Sequence, residues 1–330
     1  MNRQWLYAQQ PKGKITPDIF QWRETAIPEP REGEALVRTR LLSLDPANRA
    51  WMMGKTYRDA LQPGEVMNGF TIGVVVESKA PGLAKGDIVE GDWGWQDYAA
   101  VPARRLTRRT TDAPIELLIG PLSVTGLTAY FGLFEIGRPK PGDTVLVSAA
   151  AGAVGSMVGQ IAKIAGCRVV GTAGGKDKCD WLTRELGFDA AVDYKSDNAF
   201  RALRAACPDG IDVYFDNTGG PVLDMALSLM NLRGRVACCG NVSQYDVEKP
   251  GPGPMTVPGL VVVKRLRLEG FIVMDFYDRR AEAEARLARW IAEGRIKAEL
   301  DILDGLEKAP EALIGLFEGS NRGKRAVRVS

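Results

Sequence analysis

The 330-residue sequence contains no histidine. That absence removes the Ser-His-Asp and Cys-His machineries of nucleophilic catalysis and takes away the commonest nitrogen ligand of a catalytic zinc. Cysteine is scarce as well. Cys167, Cys179, Cys207, Cys238 and Cys239 make an odd number with no C-x-x-C among them, which argues against a disulfide framework or a structural zinc site. Neither sign of charge dominates: 43 basic and 41 acidic residues leave a formal net charge of +2, too weak a field to imply nucleic acid or a membrane surface as a partner. No apolar run approaches transmembrane length, and Met1–Trp5 lacks the apolar core of a signal peptide, so a cytoplasmic protein is expected. Chemistry must then come from a cofactor and from Tyr, Lys, Asp, Asn or water.

What is present is the composition of an ordinary globular protein, 45% hydrophobic and 25% charged, long enough for two domains. From Leu6 to Val101 short strands are broken by Gly and Pro: Ala35–Leu44, Thr71–Glu77, Asp87–Gly91 and Asp97–Val101. This half reads as a small β-barrel or sandwich. Trp51, Trp93 and Trp95 either line a pocket or fill its core. The basic cluster Arg104-Arg105 with Arg108-Arg109 suits a phosphate grip or, as the simpler expectation, a solvated surface.

After the breaker Gly120-Pro121 a helix is expected over Ser123–Glu135, and then strands and helices alternate. The strands are Thr144–Ala150, Arg168–Ala173, Ala190–Tyr194, Ile211–Asp216, Arg235–Cys239 and a last one, Leu268–Val273. The intervening helices are Asp177–Leu186, Asn198–Ala206 and Val222–Leu232, with a Pro/Gly loop over Lys249–Pro254. Such alternation predicts a doubly wound parallel sheet. An amphipathic helix over Arg279–Glu293 precedes a tail (strand Glu299–Leu303, helix Ala309–Glu318, strand Lys324–Val329) that completes the first domain. The expected division is residues 1–122 with 297–330, and residues 123–296.

The chemistry-bearing stretch is Thr144–Gly166. A buried strand runs into Ala150-Ala151-Gly152-Ala153-Val154-Gly155, and a helix follows at once, with Val154, Met157, Val158, Ile161 and Ala165 at helical spacing. This is a dinucleotide-binding turn with alanine in place of the first glycine. Gly152 lets backbone approach a pyrophosphate, Gly155 lets the helix pack on the strand, and the helix N-terminus offers N–H groups to phosphate. An NAD site usually carries an acid at the end of the second strand, about 20 residues further on. Here that strand ends Gly171-Thr172-Ala173-Gly174-Gly175, and Lys176 and Lys178 follow. Cations in that position suit the 2′-phosphate of NADPH.

Taken together, these motifs resemble the zinc-independent medium-chain dehydrogenase/reductases, in the group of prostaglandin reductases, alkenal double-bond reductases and curcumin reductases. The matching stretches are Leu42–Pro46, Gly126–Leu133, Ala150–Lys163, Tyr214–Gly220, Leu268–Val273 and Asn321–Lys324. The resemblance implies a GroES-like β-barrel domain joined to a Rossmann domain, and NADPH-dependent reduction of the carbon–carbon double bond of α,β-unsaturated ketones or aldehydes without metal. It implies that Gly152, Ala153, Val154 and Gly155 hold the pyrophosphate and Lys178 the 2′-phosphate. Tyr194, Asn217, Gly240, Phe271, Ile272, Val273 and Asn321 would hold the rest of the cofactor. Tyr245, Tyr57 and Asn48 are the catalytic-side candidates, and a homodimer is expected. Two stretches depart from the group's pattern: Ala47-Asn48-Arg49, which alters the pocket wall, and Val261-Val262-Val263, where some prostaglandin reductases carry a tyrosine.

Hydride delivery to the β-carbon of an enone develops only an enolate, which a tyrosine or ribose hydroxyl can stabilise and protonate without a Lewis acid. A quinone oxidoreductase and a non-catalytic NADPH-binding protein stay open beside this reading. The pattern predicts that NADPH binds at least about tenfold more tightly than NADH, because Lys178 adds a charge-assisted contact of about 1.5–3 kcal/mol. Titrating both cofactors onto the wild type and Lys178→Ala checks this, and equal affinities or an unchanged ratio would contradict it.

Overall fold

The computed structural model describes residues 1–329 apart from Asp112, Pro250, Pro252 and Pro254, so the prolines of the Pro/Gly loop lie outside the described residues. The chain divides into two compact units. One comprises Met1–Ile119, Leu300–Asn321 and Arg325–Ser330; the other comprises Gly120–Glu299 and Arg322–Lys324.

In the first unit the strands are β1 (Asn2–Tyr7), β2 (Phe20–Thr25), β3 (Glu34–Ser43), β4 (Phe70–Ser78), β5 (Ile88–Asp92), β6 (Tyr98–Pro102) and β7 (Thr107–Arg108), with short helices α1 (Pro46–Trp51) and α2 (Ile115–Leu118). β1 and β2 form an antiparallel pair that the sequence does not announce. The reason is that β1 turns polar side chains inward. Asn2 and Gln4 are buried, Asn2 exchanging hydrogen bonds with the Tyr98 backbone and Gln4 donating to Gln96 at 2.6 Å, so no apolar alternation marks the strand. The tryptophan alternatives resolve toward packing for two of three. Trp95 is fully buried and stacks on Phe20 at 5.5 Å, and Trp93 is buried in a second cluster with Val37, Val75 and Val89, whereas Trp51 is only half-buried.

The basic cluster also separates into two kinds of residue. Arg104 and Arg105 are exposed; Arg108 pairs with Asp87 at 3.0 Å, and Arg109 is buried against Glu90 at 2.8 Å. Arg109 is therefore a core ion pair, not the solvated surface charge expected.

The second unit begins with α3 (Val124–Phe131), shorter than the expected helix because it widens into a π-helical turn over Gly132–Gly137. Then come β8 (Thr144–Val147), α4 (Ala153–Ile164), β9 (Arg168–Ala173), α5 (Lys176–Arg184), β10 (Ala190–Asp193), α6 (Ala199–Ala206), β11 (Ile211–Asp216), α7 (Gly220–Leu229), β12 (Met230–Cys238), α8 (Val257–Lys264), β13 (Arg267–Gly270) and α9 (Arg280–Ala292). The six strands form a parallel sheet in the order β10-β9-β8-β11-β12-β13, so the strand order reverses beside β8. The central strands β8, β9 and β11 are largely apolar because both faces are covered, whereas the edge strand β13 (Arg267–Gly270) is not. Two boundaries depart from expectation. The chain leaves α7 at Leu229, not Leu232: Met230 is already extended (φ −59°, ψ 140°) and opens β12, which bulges around Arg233 at a left-handed φ of 61°. The last strand stops at Gly270, leaving Phe271 and Ile272 beyond it and Val273 at the start of a 3₁₀ turn.

The chain then returns to the first unit with β14 (Leu300–Asp304), α10 (Ala309–Glu318) and β15 (Lys324–Arg328), giving the order β14-β15-β3-β4-β5-β7 with β6 also on β3, antiparallel from β15 onward, while β14 runs alongside β15 in the same direction (Lys324 N–H to the Glu299 carbonyl, Gly305 N–H to the Arg328 carbonyl, both 2.9 Å). Leu306, Leu313 and Val327 join Tyr7, Leu42 and Trp95 in its core.

Removing one partner from a buried ion pair leaves an uncompensated charge. Glu90→Ala should therefore cost about 3–5 kcal/mol in denaturant unfolding. Asp59→Ala, which breaks the exposed Lys55–Asp59 pair, should leave the midpoint unchanged.

Candidate functional site

Ligands of doubly wound sheets bind beyond the carboxyl ends of the strands where the order reverses, here at β8. Beyond β8 the chain passes Ala149, which takes a left-handed φ of 46°, and Gly152, which is extended (φ −87°, ψ 178°) and caps α4. A Cβ on Gly152 would touch only the Ala149 carbonyl oxygen, at 3.2 Å, and otherwise open space. A Cβ on Gly155 would lie 2.4 Å from that same oxygen and 2.8 Å from Ala150 Cα. The two glycines thus do different work. Gly155 permits the helix to close on the strand, and Gly152 leaves open space ahead of the first turn of α4, an arrangement that suits an anion at a helix N-terminus. Gly323 runs alongside, paired in parallel with Gly152 and donating its N–H to the Ala151 carbonyl at 2.9 Å.

The two lysines after β9 are not equivalent. Lys176 is exposed and bound to Asp180 at 2.5 Å one turn along α5, while Lys178 is half-buried in the first turn. Tyr194 follows β10, and its hydroxyl lies 3.4 Å from where a Cβ of Gly174 would stand. An acid missed by looking only at β9 is Asp193, at the end of β10. The backbone N–H of Gly175, and that of Lys195 at 3.0 Å, hold its carboxyl below the usual carboxylate range. It is engaged with the turn that follows β10.

Beyond β11, a single carboxylate oxygen organises the crevice. Oδ1 of the buried Asp216 accepts from the Tyr214 hydroxyl at 2.7 Å, the Gly219 and Thr218 N–H groups at 2.8 and 3.0 Å, and the Ser148 hydroxyl at 3.2 Å. Its backbone carbonyl accepts the N–H groups of Cys239 and Gly240. Asn217 is held between, donating its amide to the Ser148 carbonyl at 2.7 Å. Burial and the neighbouring carboxylate push the Tyr214 hydroxyl well above its ordinary value and the Cys239 thiol up to about 12, so both stay protonated at neutral pH. Asp216, Ser148 and Tyr214 were not singled out from sequence. The signal was the Tyr-x-Asp-Asn run that carried the resemblance.

Tyr245 closes a 3₁₀ turn over Val242–Gln244, and its hydroxyl accepts the Asn241 N–H at 3.2 Å. Phe271 packs edge-on against Phe215 at 6.2 Å, Ile272 is half-buried and Val273 buried. In the first unit Asn321 is buried and Tyr57 is 54% exposed, lying edge-on to Trp51 at 6.3 Å. Asn48 is not presented as an open polar group. Only 1% exposed, it accepts the Asp45 N–H at 2.8 Å as half of the capping box of α1 and donates to the Asn68 carbonyl at 3.0 Å. Its amide fixes the start of α1 instead of reaching toward a substrate. Among the described residues no group of three or more His, Cys, Asp or Glu could hold a metal.

A parallel doubly wound unit with a glycine turn feeding a helix N-terminus, bracketed in sequence by an antiparallel β unit, defines a pyridine-dinucleotide oxidoreductase of the medium-chain class. Residues 3–108 match the family model for the N-terminal domain of oxidoreductase, and residues 153–293 match the model for zinc-binding dehydrogenase. The NADPH-dependent curcumin reductase of Escherichia coli is 43% identical over 100% of this chain and 97% of its own. The 2-alkenal reductase (NADP(+)-dependent) of Nicotiana tabacum is 42% identical over 92% of this chain and 89% of its own. The crystal structure of CurA in complex with NADPH from Vibrio vulnificus superposes with a TM-score of 0.95 at 40% identity, covering 99% of each chain. The chain belongs to the medium-chain dehydrogenase/reductase family, in the group that contains these reductases.

The different work of the two glycines is measurable. Gly155→Val should lower stability by about 1–3 kcal/mol through overpacking. Gly152→Val should leave the unfolding midpoint of the cofactor-free protein near wild type while weakening NADPH by about tenfold or more, since it blocks charge-assisted phosphate contacts. Both variants losing stability equally would contradict the assignment.

Proposed function

We propose that this protein reduces the carbon–carbon double bond of α,β-unsaturated ketones or aldehydes with NADPH. The observation that carries the reading is full-length similarity, above 40% identity, to a curcumin reductase and a 2-alkenal reductase, both NADPH- or NADP-dependent by name. The residues of the second unit fit that cofactor: a turn open at Gly152, a half-buried Lys178 after a strand with no terminal acid, and Asn217 and Gly240 tied to the Asp216 network. The domain division follows the same logic, with residues 123–296 as the cofactor side and residues 1–122 with 297–330 as the substrate side. We infer further that the protein works in the cytoplasm as a homodimer, as the family resemblance leads one to expect.

The bound cofactor supplies the hydride. The protein's part is to hold the substrate carbonyl and answer the charge that develops on its oxygen. Tyr245 suits that task. Its oxygen already accepts the Asn241 N–H, which holds the hydroxyl in place and leaves its own O–H to donate to an enolate oxygen. A proton delivered to the α-carbon, directly or by way of the enol formed on oxygen, completes the reduction, and solvent restores the proton to the tyrosine if it was the donor. Tyr57, more than half exposed, is a wall residue on the substrate side.

Tyr245→Phe should lower kcat for an enone by roughly tenfold to a thousandfold, the range for losing one oxyanion donor or acid, while NADPH affinity changes much less. Following NADPH oxidation against a panel of enones, enals and quinones gives both tests. Turnover of quinones alone would refute the substrate assignment, and unchanged kcat in the Phe variant would pass the role to water or the ribose hydroxyl.

A further inference from the structure

Arg322 lies next to the glycine turn and has no part in the reading above. Its neighbour Gly323 is paired with Gly152, with its N–H on the Ala151 carbonyl at 2.9 Å, so the backbone at 322 is anchored where α4 begins. The anchor is strict. Gly323 takes φ 63°, and a Cβ there would lie 2.2 Å from the Glu299 carbonyl oxygen, so no other residue fits that register. From this anchored point the exposed side chain of Arg322 reaches α5, where its guanidinium sits 5.7 Å from the ring centroid of Trp181.

Trp181 follows Lys178 by three residues and so shares its face of α5. A long helical side chain leans back over the turn N-terminal to its own Cα, so the Trp181 ring covers the turn that bears Lys178. A cation over that ring therefore stands beside the first turn of α5, on the lysine's side. Of the acids on α5 and after β10, Asp180 pairs with Lys176 and Arg184 and Asp193 accepts the Gly175 and Lys195 N–H groups, while Asp177 is exposed in the first turn beside Lys178.

We propose that Arg322, stacked on Trp181, is a second cation for the 2′-phosphate of the cofactor and determines specificity together with Lys178. The proposal rests on the NADPH reading of the site and names a ligand for a residue that reading leaves out. A guanidinium is suited to the position: it keeps its charge, is weakly hydrated, stacks on an aromatic face and offers paired N–H donors to phosphate oxygens. Stacking on Trp181 also orders the side chain before the phosphate arrives.

The test measures the dissociation constants of NADPH, NADH and 2′,5′-ADP for the full chain and for Arg322→Ala and Arg322→Lys, with the cofactor-free unfolding midpoint as a control for folding. Arg322→Ala should weaken NADPH and 2′,5′-ADP by about tenfold and leave NADH unchanged, and Arg322→Lys should fall between. An NADPH-to-NADH ratio equal to that of the wild type in Arg322→Ala would overturn the proposal, whether neither affinity moves or both fall together. Should the alanine variant be unstable, the same comparison in Arg322→Lys decides. A wild type that binds neither NADPH nor NADH would instead overturn the functional reading beneath it, an outcome distinct from an unchanged ratio.

Discussion

The candidate site depends on one buried carboxylate. An ionised Asp buried without partners would be prohibitively costly, yet Asp216 is 3% exposed. Its Oδ1 is instead surrounded by two backbone N–H groups and three hydroxyls, contributed by the end of β8, by β11 and by the turn after it. Those bonds tie the carboxyl ends of neighbouring strands into one assembly, and the Asp216 carbonyl adds the end of β12 through Cys239 and Gly240. Asn217, Gly240 and the turn leading to Tyr245 take their positions from it. A crevice at a strand-order reversal is given by topology. Its shape here is given by hydrogen-bond satisfaction.

Against that fixed frame the glycine turn works by contact distance. Ala149 occupies a left-handed conformation that costs a non-glycine residue about 1–2 kcal/mol. Its carbonyl oxygen is the atom that both Gly152 and Gly155 face. The tight packing of α4 against the strand end and the open approach to its N-terminus are thus two sides of one backbone geometry. Ala150, in the place of the motif's first glycine, is fully buried with its Cβ in the space left by Gly171 of β9, where an added Cβ would lie 2.8 Å from it.

Sequence made most of the second unit legible, since β8, β9 and β11 are largely apolar runs bounded by turn residues and helices alternate with the strands. It failed where burial and polarity part company. Asn2 and Gln4 face inward because Tyr98 and Gln96 satisfy them, so β1 has no apolar signature. Arg109 is in a core because Glu90 is there to meet it. Asn48 looked like a polar pocket residue, but its amide belongs to a helix cap. In each case residue type was read correctly and the partner, which decides the role, lay at a distance in sequence that no local pattern encodes. Lys176 is the exception: its partner Asp180 is four residues on, and that spacing was available to separate it from Lys178.

A protein without histidine must handle the charge of carbonyl reduction differently from one that has a zinc or an imidazole. The Cys239 thiol beside the site is pushed up to about 12 and the Tyr214 hydroxyl well above its ordinary value, so neither exchanges protons near neutrality. What remains is a hydroxyl held by a backbone N–H, as at Tyr245. Such a group can donate to the oxygen of an enolate, whose charge is shared between oxygen and carbon, so that one well-placed donor answers the charge that hydride delivery to a conjugated double bond develops.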